Sequence, residues 1–137
     1  MADIFSIQGL TAVVTGAAGD IGRCYVQGLS ERGCRVLAVD KEADRLEAAL
    51  VQWNREMVSI AVADIVNESA VERLFADEVS AKLGRLDLLV NNAGVMVRAA
   101  PEETKFEDWR FLMGVNLDGA FLCARAAGRI MKVQGSG

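Results

Sequence analysis

Thr15-Gly16-Ala17-Ala18-Gly19-Asp20-Ile21-Gly22 stands between an apolar, β-rich run and the first helical pattern of the chain. Glycines at such a turn let the backbone bend sharply and approach a ligand with no Cβ in the way. The helix start behind them presents unpaired N–H groups and a partial positive charge, which suits a pyrophosphate. The glycines fall at 16, 19 and 22, so a literal G-x-G-x-x-G is not present. No Gly-Lys-Ser/Thr follows them, which excludes a nucleoside-triphosphate P-loop. By itself the turn is also compatible with a glycine-rich connection that binds nothing.

Outward from this turn, strand and helix patterns alternate. Leu10 to Thr15 reads as a buried strand, and Ile21 to Arg32 as a helix whose apolar face is Ile21, Tyr25 and Leu29, ended by Gly33. That face makes Tyr25 a core residue. Arg35 to Asp40 is a second strand, and Leu46, Ala49, Leu50 and Trp53 give Glu42 to Trp53 helical spacing. Met57 to Ala63 is a third strand. A helix capped by Asn67 or Ser69, the latter in a capping box with Glu72, runs to Leu83. Leu86 to Val90 is a fourth strand. Beyond Pro101, a second capping box of Thr104 and Glu107 opens a helix running towards Met131, with a kink near Gly114. Repeats of this kind predict parallel strands joined by right-handed crossovers. The fold expected is a Rossmann-type doubly wound α/β sheet, with residues 1–137 forming one dinucleotide-binding domain.

Composition narrows the function. Hydrophobic residues make up 52% and charged residues 25% of 137, as in a globular chain. The net charge of −4 speaks against nucleic acid, which wants a basic face. Histidine is absent, which removes Ser-His and Cys-His catalysis and the commonest zinc ligand. Cys24, Cys34 and Cys123 share no metal-ligand spacing and sit among apolar residues, so buried, reduced thiols and no metal site are expected. The start shows no secretory pattern and no apolar run is long enough to span a membrane, which leads to a cytoplasmic expectation.

Asp40 closes the second strand at about the distance beyond the glycines where a dinucleotide fold places its ribose-binding carboxylate. It would accept hydrogen bonds from the adenosine ribose hydroxyls and repel a 2′-phosphate, by up to about 4 kcal/mol at 4 Å and an effective dielectric near 20. NAD is therefore favoured over NADP, although Lys41 offers a phosphate a nearby cation.

Asn91-Asn92-Ala93-Gly94 directly follows the fourth strand. Together with Thr15-Gly16, Gly22, Asp40 and Asp64, it resembles the short-chain dehydrogenase/reductase family over nearly the whole chain. The resemblance implies that Gly16, Gly19 and Ile21 line the pyrophosphate turn and that Asp40 holds the ribose. It implies an adenine contact for Asp64 and Ile65, and a cofactor border at Asn91, Ala93 and Gly94. Asn116 matches the family's active-site asparagine, which holds a water of the proton relay; the plainer reading is a helical polar residue paired with backbone. The turn departs from T-G-x-x-x-G-x-G because Asp20 occupies the middle glycine position. Its side chain is expected to face outward, leaving its N–H for the cofactor.

The family's chemistry rests on a serine and a Tyr-x-x-x-Lys. Here Tyr25 is the one tyrosine, and Leu29 stands four residues later. The chain is therefore expected to be the amino-terminal half of a longer enzyme, truncated after four strands in the order 3-2-1-4, with an unmet edge at the fourth. The function expected is the NAD-binding part of an oxidoreductase acting on an alcohol or carbonyl substrate, as a homo-oligomer at full length. A non-catalytic nucleotide-binding module and a methyl donor-binding Rossmann protein are the alternatives; Asn91-Asn92-Ala93-Gly94 speaks against the second.

Overall fold

A computed structural model describes residues 5–137. Four parallel strands, β1 (Thr11–Thr15), β2 (Arg35–Asp40), β3 (Val58–Val62) and β4 (Leu88–Val90), lie in the order β3-β2-β1-β4. Val13 is in register with Leu37 on one side and Leu89 on the other. The expected order is found. β1 therefore sits where the winding reverses, and a crevice opens beyond the carboxyl ends of the strands flanking that point.

Alternate strand residues feed two cores. Val13, Leu37 and Val39 pack with Phe75, Leu86, Cys123 and Ala127 on one face, whereas Ala12, Val14, Val36 and Ala38 pack with Val26, Leu46 and Trp53 on the other. The second face is covered by α1 (Asp20–Glu31) and α2 (Ala43–Leu50). The first is covered by α3 (Glu68–Arg73), its π-helical continuation Leu74–Val79, the short α4 (Ser80–Lys82) and α6 (Ala120–Gln134). Burial on both faces explains why the central strands are apolar throughout.

Several details differ from expectation. The buried face of α1 is Gly22, Val26 and Ser30, one position on from the expected stripe, and Tyr25 is 47% exposed rather than in the core. A tight approach at Gly22 sets this rotation: a Cβ there would stand 2.1 Å from the carbonyl oxygen of Gly16. Small residues must therefore face the sheet. The same rotation leaves Cys24 exposed, while Cys34 and Cys123 are buried. All three thiols are free.

The second helix stops at Leu50, and Trp53 buries its ring from the turn that follows. There the Asn54 side chain accepts the Glu56 N–H at 3.0 Å, a local bond that competes with helix. Of the two cap candidates for α3, Asn67 is used, its Oδ1 accepting the Ala70 N–H at 3.0 Å. The Thr104–Glu107 box does not form. The Thr104 hydroxyl instead donates to Ala100 O at 3.0 Å, and α5 (Phe106–Met113) starts beyond Lys105 without a side-chain cap. Where a kink was expected near Gly114, π-helical turns over Gly114–Gly119 join α5 to α6. β4 begins at Leu88 because the Leu86 backbone is taken by the Gln134 amide through two 2.8 Å bonds. Among the described residues no helix is long and apolar enough to cross a membrane.

Candidate functional site

A cleft of about 1010 Å³ lies at the carboxyl ends of the strands, at the upper end of the usual range for small-molecule sites. Its floor is the turn between β1 and α1. Gly16 adopts φ +65°, and a Cβ on it would meet Ala93 Cα at 2.6 Å. Two loops that start on neighbouring strands thus touch through bare backbone.

The Asn92 side-chain amide and the Thr15 hydroxyl hold them together. Asn92 Nδ2 donates to Thr15 O at 3.0 Å and Gly16 O at 3.1 Å, while Thr15 Oγ1 accepts the Asn92 and Ala93 N–H groups at 3.2 Å each. The conformation of the glycine turn is set from the far loop. Neither Thr15 nor Asn92 was assigned a role from the sequence, since no local pattern links residues so far apart.

The donors of the turn are mostly committed. Ala17 N–H donates to Val39 O at 3.0 Å, Ala18 N–H to Asp40 Oδ2 at 3.0 Å, and Gly19 N–H to Gly16 O at 3.2 Å. Gly19 is the N-cap of α1. The next amides, on Asp20, Ile21 and Gly22, lack intrahelical acceptors by helix geometry, and all three residues line the cleft. Helix geometry therefore leaves unpaired N–H donors and the positive end of the α1 dipole at residues of the cleft wall. Asp20, expected to face outward, is exposed yet also forms part of the cleft wall.

Asp40 is half-buried on the same wall, its Oδ1 accepting the Glu42 N–H at 3.2 Å. Each carboxylate oxygen has two lone pairs, so each keeps one for a ligand hydroxyl. Asp64 and Ile65 line the cleft beyond β3. Asp64 is exposed and turns its loop by accepting the Val66 N–H at 3.2 Å, while Ile65 is buried against Gly119. A Cβ on Gly119 would meet the end of the Ile65 side chain at 2.7 Å.

Gly16, Gly19, Asp20, Ile21, Asp40, Asp64, Ile65, Ala93 and Gly94 are brought to one cleft. Asn91 and Asn116 are not on its wall. Asn91 is exposed and donates to Ala120 O at 3.1 Å. Asn116 lies in the π-helical turns, beside the wall residue Val115, and both ends of its amide pair with the Val95 backbone. Arg45, Arg110 and Met96 also line the cleft, and none of them was expected there.

Burial pushes the Cys34 thiol up to about 11, with the Asp87 carboxylate adding to the effect, and burial alone does the same for Cys123. Both are neutral thiols at physiological pH and poor metal ligands. Among the described residues no group of three or more carboxylates and thiols is arranged to hold a metal ion.

The sequence profile of the short chain dehydrogenases matches residues 10–137. A D-threitol dehydrogenase of Mycolicibacterium smegmatis is 36% identical over 135 residues, covering 97% of this chain and 52% of its own length. A short-chain type dehydrogenase/reductase from Mycobacterium marinum superposes with a TM-score of 0.90 at 28% identity, over 98% of this chain and 54% of its own. A Beutenbergia cavernae chain described as an NAD(P)-dependent gluconate 5-dehydrogenase, solved with NADP at low occupancy, gives 0.82 at 35% identity, over 97% and 53%. The chain spans about half the length of the curated relatives it matches.

Proposed function

Because the chain belongs to the short-chain dehydrogenase family, we propose that it is the NAD(H)-binding part of an oxidoreductase moving hydride between a nicotinamide cofactor and an alcohol or carbonyl carbon. One observation carries this reading: the unpaired amides at the start of α1 and the Asp40 carboxylate face one cleft at the topological switch. The glycine cradle fits a pyrophosphate, since a Cβ at Gly16 or Gly22 would collide with backbone where the turn must stay tight.

The cofactor, when bound, supplies the hydride. The chain's residues bind and orient it. The amides of Asp20, Ile21 and Gly22 take the pyrophosphate, Asp40 takes the ribose hydroxyls, and Asp64 with Ile65 borders the adenine. Ala93 and Gly94 form the opposite wall, and Asn116 positions that wall through Val95. The repulsion of a 2′-phosphate by Asp40 supports NAD as the preferred form. The one tyrosine has no lysine four residues on, so these 137 residues supply no Tyr-x-x-x-Lys proton donor and turn over no alcohol by themselves. For the whole protein, a cytoplasmic location is supported by the free thiols. Self-association through α5 and α6 is supported by exposed Trp109 and Phe121 on those helices.

Titration calorimetry with NADH tests the proposal. Saturable binding that Gly22→Ala abolishes is expected; no heat at millimolar NADH, with a folded far-UV spectrum, overturns it. A non-catalytic nucleotide-binding module is the second reading for these 137 residues, whose one tyrosine has no lysine four residues on. NAD-linked activity in the longest natural form of the protein would reject it.

A further inference from the structure

β3 is an edge strand, and its ladder to β2 fixes which of its backbone groups face outward. The Val36 N–H donates to Met57 O at 2.8 Å and the Ala63 N–H to Asp40 O at 3.0 Å. Val36, Ala38 and Asp40 are in register with Val58, Ile60 and Val62. In a parallel pair each strand bonds its neighbour through alternate residues. Met57, Ser59, Ala61 and Ala63 are therefore bonded to β2, while the N–H and C=O groups of Val58, Ile60 and Val62 lie along the outer edge. Some of these groups are already occupied. The Val58 N–H donates to Asn54 O at 2.9 Å, and the Ile60 carbonyl accepts from Lys82 Nζ at 2.6 Å.

We infer that Lys82 guards the β3 edge: by holding the Ile60 carbonyl it denies that edge to the β3 strand of a second copy of this chain. The inference stands apart from the dinucleotide reading, because neither Lys82 nor Ile60 lines the cleft. An edge of β-branched residues with open backbone groups is a template for another strand. Val58, Ile60 and Val62 form such a run, and Val62 at its end is exposed. The register is self-complementary. Antiparallel copies crossing at Ile60 would set Ile60 opposite its own counterpart and Val58 opposite Val62, with the outward groups facing one another. Each Ile60 carbonyl would then accept the N–H of the other Ile60. Lys82 occupies the acceptor that those central bonds need. An ammonium has donors only, so it ends the ladder instead of extending it. Its position is fixed from two sides: Glu78 Oε2 lies 2.7 Å from the ammonium, and the Lys82 carbonyl accepts from Arg35 at the start of β2. Both side chains of the Lys82–Glu78 pair are partly exposed, where ion pairs add little stability. Position rather than strength gives Lys82 its effect.

Sedimentation velocity over a concentration series tests this on the unmodified chain, Lys82→Met, Lys82→Arg and Glu78→Gln, each checked for folding by far-UV circular dichroism. Methionine keeps an unbranched, flexible side chain and drops the charge and the donors. Lys82→Met should self-associate at least about tenfold more tightly than the unmodified chain. In a concentrated sample its Ile60 and Val62 amides should exchange at least about tenfold more slowly than in a dilute one. Lys82→Arg keeps charge and donors and should behave as the unmodified chain. Glu78→Gln removes the brace alone and should show a smaller gain at the same amides, which keeps the test decisive where Lys82→Met does not fold. Extra association that protects the Leu88 and Val90 amides of β4 instead would overturn the inference. So would an equal gain in Lys82→Arg, or no gain in whichever of Lys82→Met and Glu78→Gln folds.

Discussion

Asn116 and Val95 exchange a complete pair of hydrogen bonds: the Val95 N–H donates to Asn116 Oδ1 at 2.8 Å, and Asn116 Nδ2 donates to Val95 O at 2.9 Å. A side-chain amide thus replaces a strand neighbour for the first residue after Asn91-Asn92-Ala93-Gly94. It comes from the π-helical turns between α5 and α6, a geometry often found at functional sites. The loop forming one cleft wall is thereby fixed at Val95 to the helical turns, while its start is bonded to Thr15 of β1.

Asn116→Ala should lower stability by about 1–2 kcal/mol, the usual net worth of two such bonds, and should speed hydrogen exchange at the Val95 amide. Asn116→Asp keeps the acceptor and loses the donor, so its Val95 amide should remain more protected than in the alanine variant. Unchanged Val95 exchange in Asn116→Ala would mean that the pair does not hold the loop.

Two glycine substitutions should act in opposite directions. Gly22→Ala places a Cβ 2.1 Å from Gly16 O, between two backbone segments, and should cost about 1–3 kcal/mol as well as NADH binding. Gly128, inside α6, has open space around its missing Cβ, and Gly128→Ala should gain about 0.5–1 kcal/mol. Denaturant unfolding reads both. A neutral Gly22→Ala would reject the tight approach.

Acid should loosen the junction of β1 and β4. Burial would raise the Asp87 carboxyl, but its bonds from Arg85 and from the Thr11 N–H and hydroxyl, with the Arg85 charge, outweigh burial and hold it below the usual carboxylate range. A lowered folded-state value means that this stabilisation is fully present above the unfolded carboxyl pKa of about 3.9 and is lost as pH falls through the folded value. Asp87→Asn should therefore melt lower than the unmodified chain at pH 7 and converge with it under acid. A difference in melting temperature that stays constant down to pH 2 would contradict this.

Asp40→Ala should weaken NADH by more than tenfold and NADPH much less, because it removes a ribose acceptor and a phosphate-repelling charge together. Equal losses in calorimetry would count against the ribose role.

A thiol reagent should modify Cys24 alone in the folded chain and all three cysteines after denaturation. Cys34 and Cys123 are buried and their thiols sit near 11, so the reactive thiolate is scarce and shielded. Mass spectrometry counts the adducts, and rapid labelling of Cys123 under native conditions would show that its face opens.

Strand order was legible because β-rich runs such as Leu10 to Thr15 and Arg35 to Asp40 alternate with helical spacing, and right-handed crossovers leave few arrangements. Most of the proposed cofactor residues reach one cleft for the same reason: Asp40 ends β2, and Gly16, Asp64 and Ala93 follow the carboxyl ends of the other parallel strands. Helix faces were less legible. Apolar spacing put Tyr25 inward, whereas the close approach of Gly22 to Gly16 turned the helix and exposed it. Thr104 was misread as a cap because α5 starts one residue later, with Lys105 at its N-cap, and the Thr104 hydroxyl donates to the Ala100 carbonyl.

Residue order alone thus determined the winding of the sheet and the glycine turn, since each depends on local backbone freedom and on apolar periodicity along the chain, while Thr15-Gly16 and Asn91-Asn92-Ala93-Gly94 carried the resemblance to the family. Tertiary structure decided what lies across space: the Asn92 bridge to Thr15 and Gly16, the grip of Asn116 on Val95, and the hold of Lys82 on the Ile60 carbonyl. Those contacts join residues from different elements, and hydrogen bonding over such separations depends on how packed elements orient their side chains, which no short stretch of sequence encodes.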